Sequence, residues 1–333
     1  MAILVTGGAG YIGSHTVRAL LKAKPERRVI VVDNLSTGHR GAIDPRADFF
    51  ALDICDTGAM QALLQREEVE GVIHFAASSQ VGESMEKPLL YYENNLSGTR
   101  NLLEAMVGAN VRHLVFSSTA AVYGEPEKMP ILESTPTKPT NCYGETKLAM
   151  EKMIAWASRA HDLNYVALRY FNAAGACPSG EIGEDHKPET HLIPLILQVP
   201  QGKREFISVF GEDYDTKDGS CVRDYIHVMD LAEAHVLALA YLEKGEENLI
   251  CNLGSQTGFT VHEVVSTART VTGEKIPAQI APRRAGDPAS LVASAQLAHE
   301  ILGWRPQRAE LSQIIEDAWR WHKGNPQGFS DEN

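Results

Sequence analysis

The sequence predicts an α/β fold: a doubly wound parallel sheet followed by a smaller, interwoven C-terminal lobe. Three observations carry that expectation. Short apolar runs alternate with helix-length segments to about residue 170, the pattern of strands buried on both faces and joined by crossover helices. The first apolar run, Ile3, Leu4 and Val5, ends at glycines spaced by three, Gly7, Gly10 and Gly13, from which a helix reads on. The texture changes near 172, where Gly175, Pro178, Gly180, Gly183 and Pro188 mark a long irregular segment. The approximate division is 1–171 for the sheet domain and 172–333 for the lobe.

Taken in order, residues 2–6 read as a buried strand and 14–21 as its helix. Strands follow at 28–32, 49–52, 71–75, 111–116 and 165–169, where apolar residues run together. Helices at 57–66, 88–108 and 139–160 separate the later strands, by their apolar periodicity. The lobe shows shorter pieces: an extended run at 206–210, a helix at 229–243, a strand at 249–251, and helices at 261–271, 294–302 and 311–322.

The totals exclude several classes of function. The 333 residues are 44% hydrophobic and 22% charged, ordinary for a globular protein. A net charge of −12 leaves no broad basic surface for nucleic acid or anionic lipid. No apolar stretch approaches the roughly 20 residues that span a bilayer, and the apolar residues at the start belong to the first strand, so a signal peptide is not expected. Five scattered cysteines without a CxxC pair fit a reduced, cytoplasmic protein. The 12 histidines show neither HxxxH nor HxH spacing, so no metal is expected.

The glycine turn carries the first chemistry. A strand that ends in glycines and opens a helix aims unpaired N–H groups and the positive end of the helix dipole at a diphosphate. Asp33 ends the second apolar run twenty positions after Gly13, where an acid holds a ribose diol. Together these give a Rossmann-type dinucleotide site. Asn34 and Leu35 follow Asp33 with no basic residue, and a carboxylate there repels a 2′-phosphate, so NAD is expected rather than NADP.

Tyr143 and Lys147 carry the second. At i and i+4 early in a helix they share a face. An ammonium near a phenol lowers its pKa and makes tyrosine usable as a general base or acid. The preceding strand ends in Ser117, Ser118 and Thr119, hydroxyls within reach of a substrate oxygen. Turn or helix capping is the simpler role for Ser117 and Ser118 than for Thr119.

The glycine turn, the Ser117–Thr119 strand end, Tyr143-x-x-x-Lys147 and the run Leu168-Arg-Tyr-Phe-Asn172 together resemble the extended short-chain dehydrogenases/reductases acting on nucleotide sugars. The runs Tyr91–Asn95, Val222–Asp230 and Pro282–Asp287 narrow the resemblance to the branch that epimerises UDP-hexoses at C4, over practically the whole chain. The resemblance implies that Tyr143 takes the proton of the sugar 4-hydroxyl while NAD takes the C4 hydride. It implies that Lys147 holds the nicotinamide ribose and keeps Tyr143 acidic, and that Thr119, where many members have serine, binds the 4-oxygen. It adds Tyr11, Ile12, Asn34, Asp53, Ile54, Phe75 and Asn94 on the cofactor side. On the nucleotide-sugar side it adds Asn172, Leu192, Phe210, Arg223, Arg284, Asp287 and Leu291. Two arginines suit a diphosphate, whose oxygens guanidinium binds in bidentate fashion. It further implies a homodimer formed through the helices at 88–108 and 143–160.

Three positions depart from the family pattern. Ser79 stands where some members carry a lysine on the cofactor, and His191 where some have asparagine near the uracil. Leu291 replaces a bulky tyrosine beside the sugar C2, so N-acetylated UDP-hexoses become possible substrates. Two other functions compete. A sugar-nucleotide dehydratase needs an acid and a base directly after the strand-end threonine, and here those positions are Ala120 and Ala121. A non-catalytic NAD sensor has no use for the Tyr–Lys pair.

Overall fold

The computed structural model describes residues 2–284 and 287–330. Ala285 and Gly286 of the 282–287 run, and the outer ends of the two proposed domains, lie outside the described residues.

In chain order, β1 (Ala2–Thr6), α1 (Tyr11–Ala23), β2 (Arg28–Asp33), β3 (Asp48–Ala51), α2 (Thr57–Arg66) and β4 (Val69–His74) open the fold. α3 (Val81–Glu86) and α4 (Pro88–Tyr91) lead into a π-helical turn, Tyr92–Ser97, and α5 (Gly98–Gly108). β5 (His113–Ser117), α6 (Cys142–His161) and β6 (Asn164–Arg169) complete the first half. The second half contributes β7 (Asn172–Ala174), α7 (Leu192–Leu197), β8 (Ile207–Phe210), β9 (Val222–Arg223), β10 (Tyr225–His227) and α8 (Val228–Glu243). It continues with β11 (Leu249–Asn252), β12 (Phe259–Thr260), α9 (Val261–Thr272), β13 (Ala278–Ala281), β14 (Ser290–Leu291) and α10 (Leu311–Gly324).

Seven strands form one sheet in the order β11-β6-β5-β4-β1-β2-β3, all parallel. Alternate residues of β1 explain why it is covered on both faces. Ile3 and Val5 pack with Val17 and Leu20 of α1 and Leu231 and Leu239 of α8. Ala2 and Leu4 pack on the other side with Met60 and Leu64 of α2, Leu102 of α5 and Ile154 of α6. From β1 the chain winds one way to β2 and β3, then the other way from β4 outward. The crevice at the carboxyl ends of β1 and β4 is therefore the topological switch point, where such sheets bind ligands. α8 and β11 return from the second half to cover and extend this sheet, while a separate core around Ile196, Val264, Ile314 and Ile315 holds the rest.

Several helices differ from expectation, and α7 falls where no helix is expected. The helix expected at 88–108 is interrupted by the π-turn, and α3 precedes it unforeseen. Inside that turn Asn95 is fully buried, donates to the Ser78 carbonyl and the Thr146 hydroxyl, and accepts from the Ser78 N–H. A side chain bound inward on this scale suits the wider turn. The helix expected at 139–160 starts at Cys142, because the Asn141 side chain caps it by accepting from the Gly144 N–H at 2.8 Å. The helix expected at 294–302 shrinks to a π-helical Ala298–Leu302 with two helical residues before it. Its intended first turn is held instead beside Ile131, which accepts from Ser294 N and donates to the Val292 carbonyl.

Candidate active site

The glycine turn is shaped by close approach. Gly7 takes φ +71°, and a Cβ there would lie 2.6 Å from the Ala76 nitrogen. A Cβ on Gly13 would lie 2.1 Å from the Gly7 carbonyl oxygen, so helix and turn touch where only glycine fits. Gly10 is the N-cap of α1 and provides no side-chain cap. The first-turn N–H groups thus face the crevice without a side-chain partner, as a diphosphate requires. Tyr11 donates to the Gly175 carbonyl at 2.7 Å, and Ile12 packs on the core beneath.

Asp33 ends β2 beside this turn and is 8% exposed. Its carboxylate accepts from the Ala9 and Leu35 N–H groups at 3.0 and 2.8 Å. Burial pushes its pKa up against those two bonds. Asn34 donates to Asp53 at 2.9 Å, joining the ends of β2 and β3, and Ile54 is buried under them. Phe75 follows β4, its N–H bound to the Thr6 carbonyl and its ring against His235. Asn94 binds Ser78 from the π-turn, and Ser79 beside it is exposed. The cofactor-side candidates therefore line one sheet edge, and they fit a dinucleotide with its diphosphate on α1.

Tyr143 and Lys147 lie on one face of α6 at the same edge. Thr119 lies close enough to the Tyr143 phenol to act on its acidity, and the Tyr143 N–H is held by Ser84 of α3 at 3.1 Å. The Lys147 ammonium is buried, donates to the Ser117 carbonyl at 3.0 Å, and lies 4.9 Å from the centre of the Phe116 ring. It stands 6.0 Å from the centre of the Tyr143 ring. Burial dominates both groups. It pushes the Tyr143 phenol up to about 12, with Thr119 opposing, and the Lys147 ammonium down to about 7, with Glu151 opposing. Desolvation sets the direction of both shifts, and the Lys147 ammonium is meanwhile bound to the Ser117 carbonyl. The capping roles differ from expectation. Thr119 is the cap, accepting from the Ala121 N–H, while Ser117 binds Tyr170 and Ser118 binds Glu151.

The nucleotide-sugar candidates fall into two groups. Asn172 on β7 donates to the Asp224 carbonyl and lines a small cleft with His191, Leu192 and Tyr225. Arg223 on β9 pairs with Asp287 and donates to the carbonyls of Val222 and Pro288. Arg284 is exposed, its guanidinium 3.9 Å from the centre of the Phe210 ring. Arg223 is therefore largely committed to a staple between strands, whereas Arg284 is the more available. Leu291 on β14 pairs with Arg223 in register and packs against the cluster of Ala120, Val122 and Leu148.

Sequence reasoning gave no role to Ser84, Asn95 or the Glu151–Arg169 pair, and it singled out His191 without its cluster of Glu184, His186 and Glu189. Glu151 had a signal, standing four residues past Lys147. The histidines are five apart, outside the spacings tested.

The model of the NAD dependent epimerase/dehydratase family matches residues 3–254. The UDP-glucose 4-epimerase of Halalkalibacterium halodurans is 57% identical over 333 residues, covering 100% of this chain and 99% of its own. A crystal structure of a UDP-glucose 4-epimerase superposes with a TM-score of 0.97 at 55% identity, covering 99% of this chain and 100% of its own. That of the Bifidobacterium longum enzyme in complex with NAD+ and UDP gives 0.92 at 39% identity, with 99% and 100% covered.

The depressed pKa of Lys147 has a measurable sign. Between about 7 and its unfolded value the unfolded chain binds a proton that the folded chain does not, so stability rises with pH across that interval. In nucleotide-free protein, the stability of wild type relative to Lys147→Met should rise between pH 7.5 and 9.5 by up to about 1.4 kcal/mol per unit. Urea unfolding at three pH values measures it, and a flat difference would exclude a buried neutral lysine.

Proposed function

The chain belongs to the NAD dependent epimerase/dehydratase family, and from that premise we infer that it interconverts UDP-glucose and UDP-galactose at the sugar C4. The observation that carries the inference is Tyr143 on the same face of α6 as buried Lys147, whose ammonium is 6.0 Å from the centre of its ring, with Thr119 close by at the sheet edge that holds the glycine turn. Bound NAD supplies a reversible hydride acceptor, which makes the reaction redox-neutral. Tyr143 as phenolate accepts the proton of the 4-hydroxyl and later returns it, while Thr119 orients the 4-oxygen. Lys147 is the chain's own buried cation for holding the nicotinamide ribose and stabilising the phenolate. The 4-keto sugar turns over between the two half-reactions and is reduced on its other face. Ala120 and Ala121 offer no acid or base for a dehydration.

We assign Gly7, Gly10, Tyr11, Ile12, Gly13, Asp33, Asn34, Asp53, Ile54, Phe75, Asn94 and Lys147 to NAD. The UDP-hexose falls to Thr119, Tyr143, Asn172, Leu192, Phe210, Arg223, Arg284, Asp287 and Leu291. In this division residues 1–171 hold the cofactor and carry Thr119 and Tyr143, and 172–333 supply the remaining nucleotide-sugar contacts, with α8 and β11 returning to the first part. No helix among the described residues is long and apolar enough to cross a membrane, and the five cysteines are all free, which supports a cytoplasmic setting. A homodimer is supported by exposed apolar side chains on α3, α4, the π-turn and α6: Met85 60%, Leu89 82%, Leu90 48%, Tyr92 40% and Trp156 67% exposed. Several large apolar side chains exposed on these elements suit a contact surface.

Purified protein with no added cofactor should convert UDP-galactose to UDP-glucose, and Tyr143→Phe should lose at least about 100-fold in rate. Failure of the wild type with NAD added would reject the assignment. UDP-GalNAc should also turn over, and Leu291→Tyr should suppress it while sparing UDP-galactose; equal failure of the wild type on both acetylated sugars would remove that extension. Light scattering should give twice the mass of one 36.4 kDa chain, and a single-chain mass would dismiss the dimer.

A further inference from the structure

We propose that Glu184, His186, Glu189 and His191 form a four-ligand site for one divalent transition-metal ion, with Zn2+ the ion their chemistry fits. The four residues each offer one donor atom, and these atoms all lie within 4.8 Å of one another. Nδ1 of His186 is 3.2 Å from Oε1 of Glu184 and 3.8 Å from Oε2 of Glu189, and Nδ1 of His191 is 4.0 Å from Oε1 of Glu189. His191 and Glu184 are in direct contact. Four donors around a tetrahedral ion at about 2.1 Å stand roughly 3.4 Å apart. Small side-chain shifts therefore convert the cluster into a coordination shell.

The donor set is two imidazole nitrogens and two carboxylate oxygens, which suits Zn2+ better than the oxygen-seeking Mg2+. Two carboxylates, two neutral imidazoles and a dication also sum to zero charge, which suits a site whose Glu184 is 3% exposed. The ligands are braced from behind. Glu189 Oε1 accepts from the N–H groups of Thr190 and His191 at 2.7 and 2.8 Å, leaving Oε2 directed at His186. The Glu184 carbonyl accepts from Nε1 of Trp321 at 3.2 Å. Such outer contacts orient metal ligands. The His186 ring also meets Tyr11 edge-on at 6.2 Å, so a bound ion would join the glycine turn to the segment leading into α7.

Equilibrium dialysis of untagged, EDTA-washed holoenzyme against Zn2+, with elemental analysis, tests the site. One Zn2+ per chain is expected, Mg2+ at the same concentration should not be retained, and resident NAD per chain should stay constant. Glu184→Gln and, separately, half-buried His186→Gln should each weaken Zn2+ binding at least tenfold, while exposed His161→Gln should not. His186→Gln decides the matter if Glu184→Gln fails to fold. Absence of bound Zn2+ in the wild type, or binding unchanged in His186→Gln, would overturn the proposal and leave the cluster as ion pairs only. None of these readouts depends on epimerase activity.

Discussion

A buried ion pair ties α6, the helix of Tyr143 and Lys147, to the sheet. Arg169 on β6 meets Glu151 on α6 through two parallel contacts, Nε to Oε1 at 2.9 Å and Nη2 to Oε2, with both side chains under 10% exposed. Alone, such a pair loses as much in desolvation as it gains in attraction. Here the remaining groups are also occupied. The Ser118 hydroxyl donates to Glu151, and Arg169 donates to the Tyr123 hydroxyl at 2.8 Å, which donates to Asn252 on β11. One network therefore joins α6, β6, β11 and the end of β5. Glu151 lies one turn past Lys147, and Ser118 immediately precedes Thr119. Removing either charged partner would leave the other buried alone, a loss of about 3–5 kcal/mol.

Within that frame burial sets the direction of both shifts on the two groups proposed for the chemistry, Tyr143 and Lys147. Desolvation favours the neutral form of both, so it raises the phenol and lowers the ammonium. Each pKa unit between phenol and neutrality represents about 1.4 kcal/mol. Moving the Tyr143 proton near pH 7 therefore demands positive charge close to its oxygen. Lys147 is a buried cation 6.0 Å from the centre of the Tyr143 ring, and a charge held away from water acts more strongly than one in it. A poorly solvated lysine is the cost of keeping that cation undiluted.

How much of this was legible in the sequence follows from the range of each interaction. β1, the glycine turn, α1 and Asp33 rest on local chemistry, and all appear where the pattern puts them, with α2 matching at both ends. The Tyr143–Lys147 pair was legible for the same reason: four residues on a helix fix a shared face. The direction of the Tyr143 shift was not, because burial is a property of the whole site. The π-turn depends on Asn95 reaching Ser78 and Thr146, seventeen and fifty-one residues away. The late start of the helix near 298 depends on Ile131. No periodicity records either contact. The His–Glu cluster was hidden differently, since a loop brings together ligands whose spacing matches no helix.

The two ends of the proposed substrate site are built to different standards, and the reaction explains why. At the nucleotide end Arg223 is stapled to Asp287 and to the carbonyls of Val222 and Pro288, Asn172 is tied to Asp224, and Arg284 rests on Phe210. Groups already ordered lose little entropy when a ligand arrives. At the sugar end the assigned polar groups are two hydroxyls, with Leu291 as an apolar wall. A ring that must offer both faces of C4 to one hydride acceptor cannot be gripped by a full set of hydrogen bonds to one pose. Affinity must then come from the part of the substrate that stays still, and it can be spent at C4 without fixing the ring. Rigid nucleotide contacts and a sparse sugar pocket are thus two consequences of a single requirement, reduction from either side.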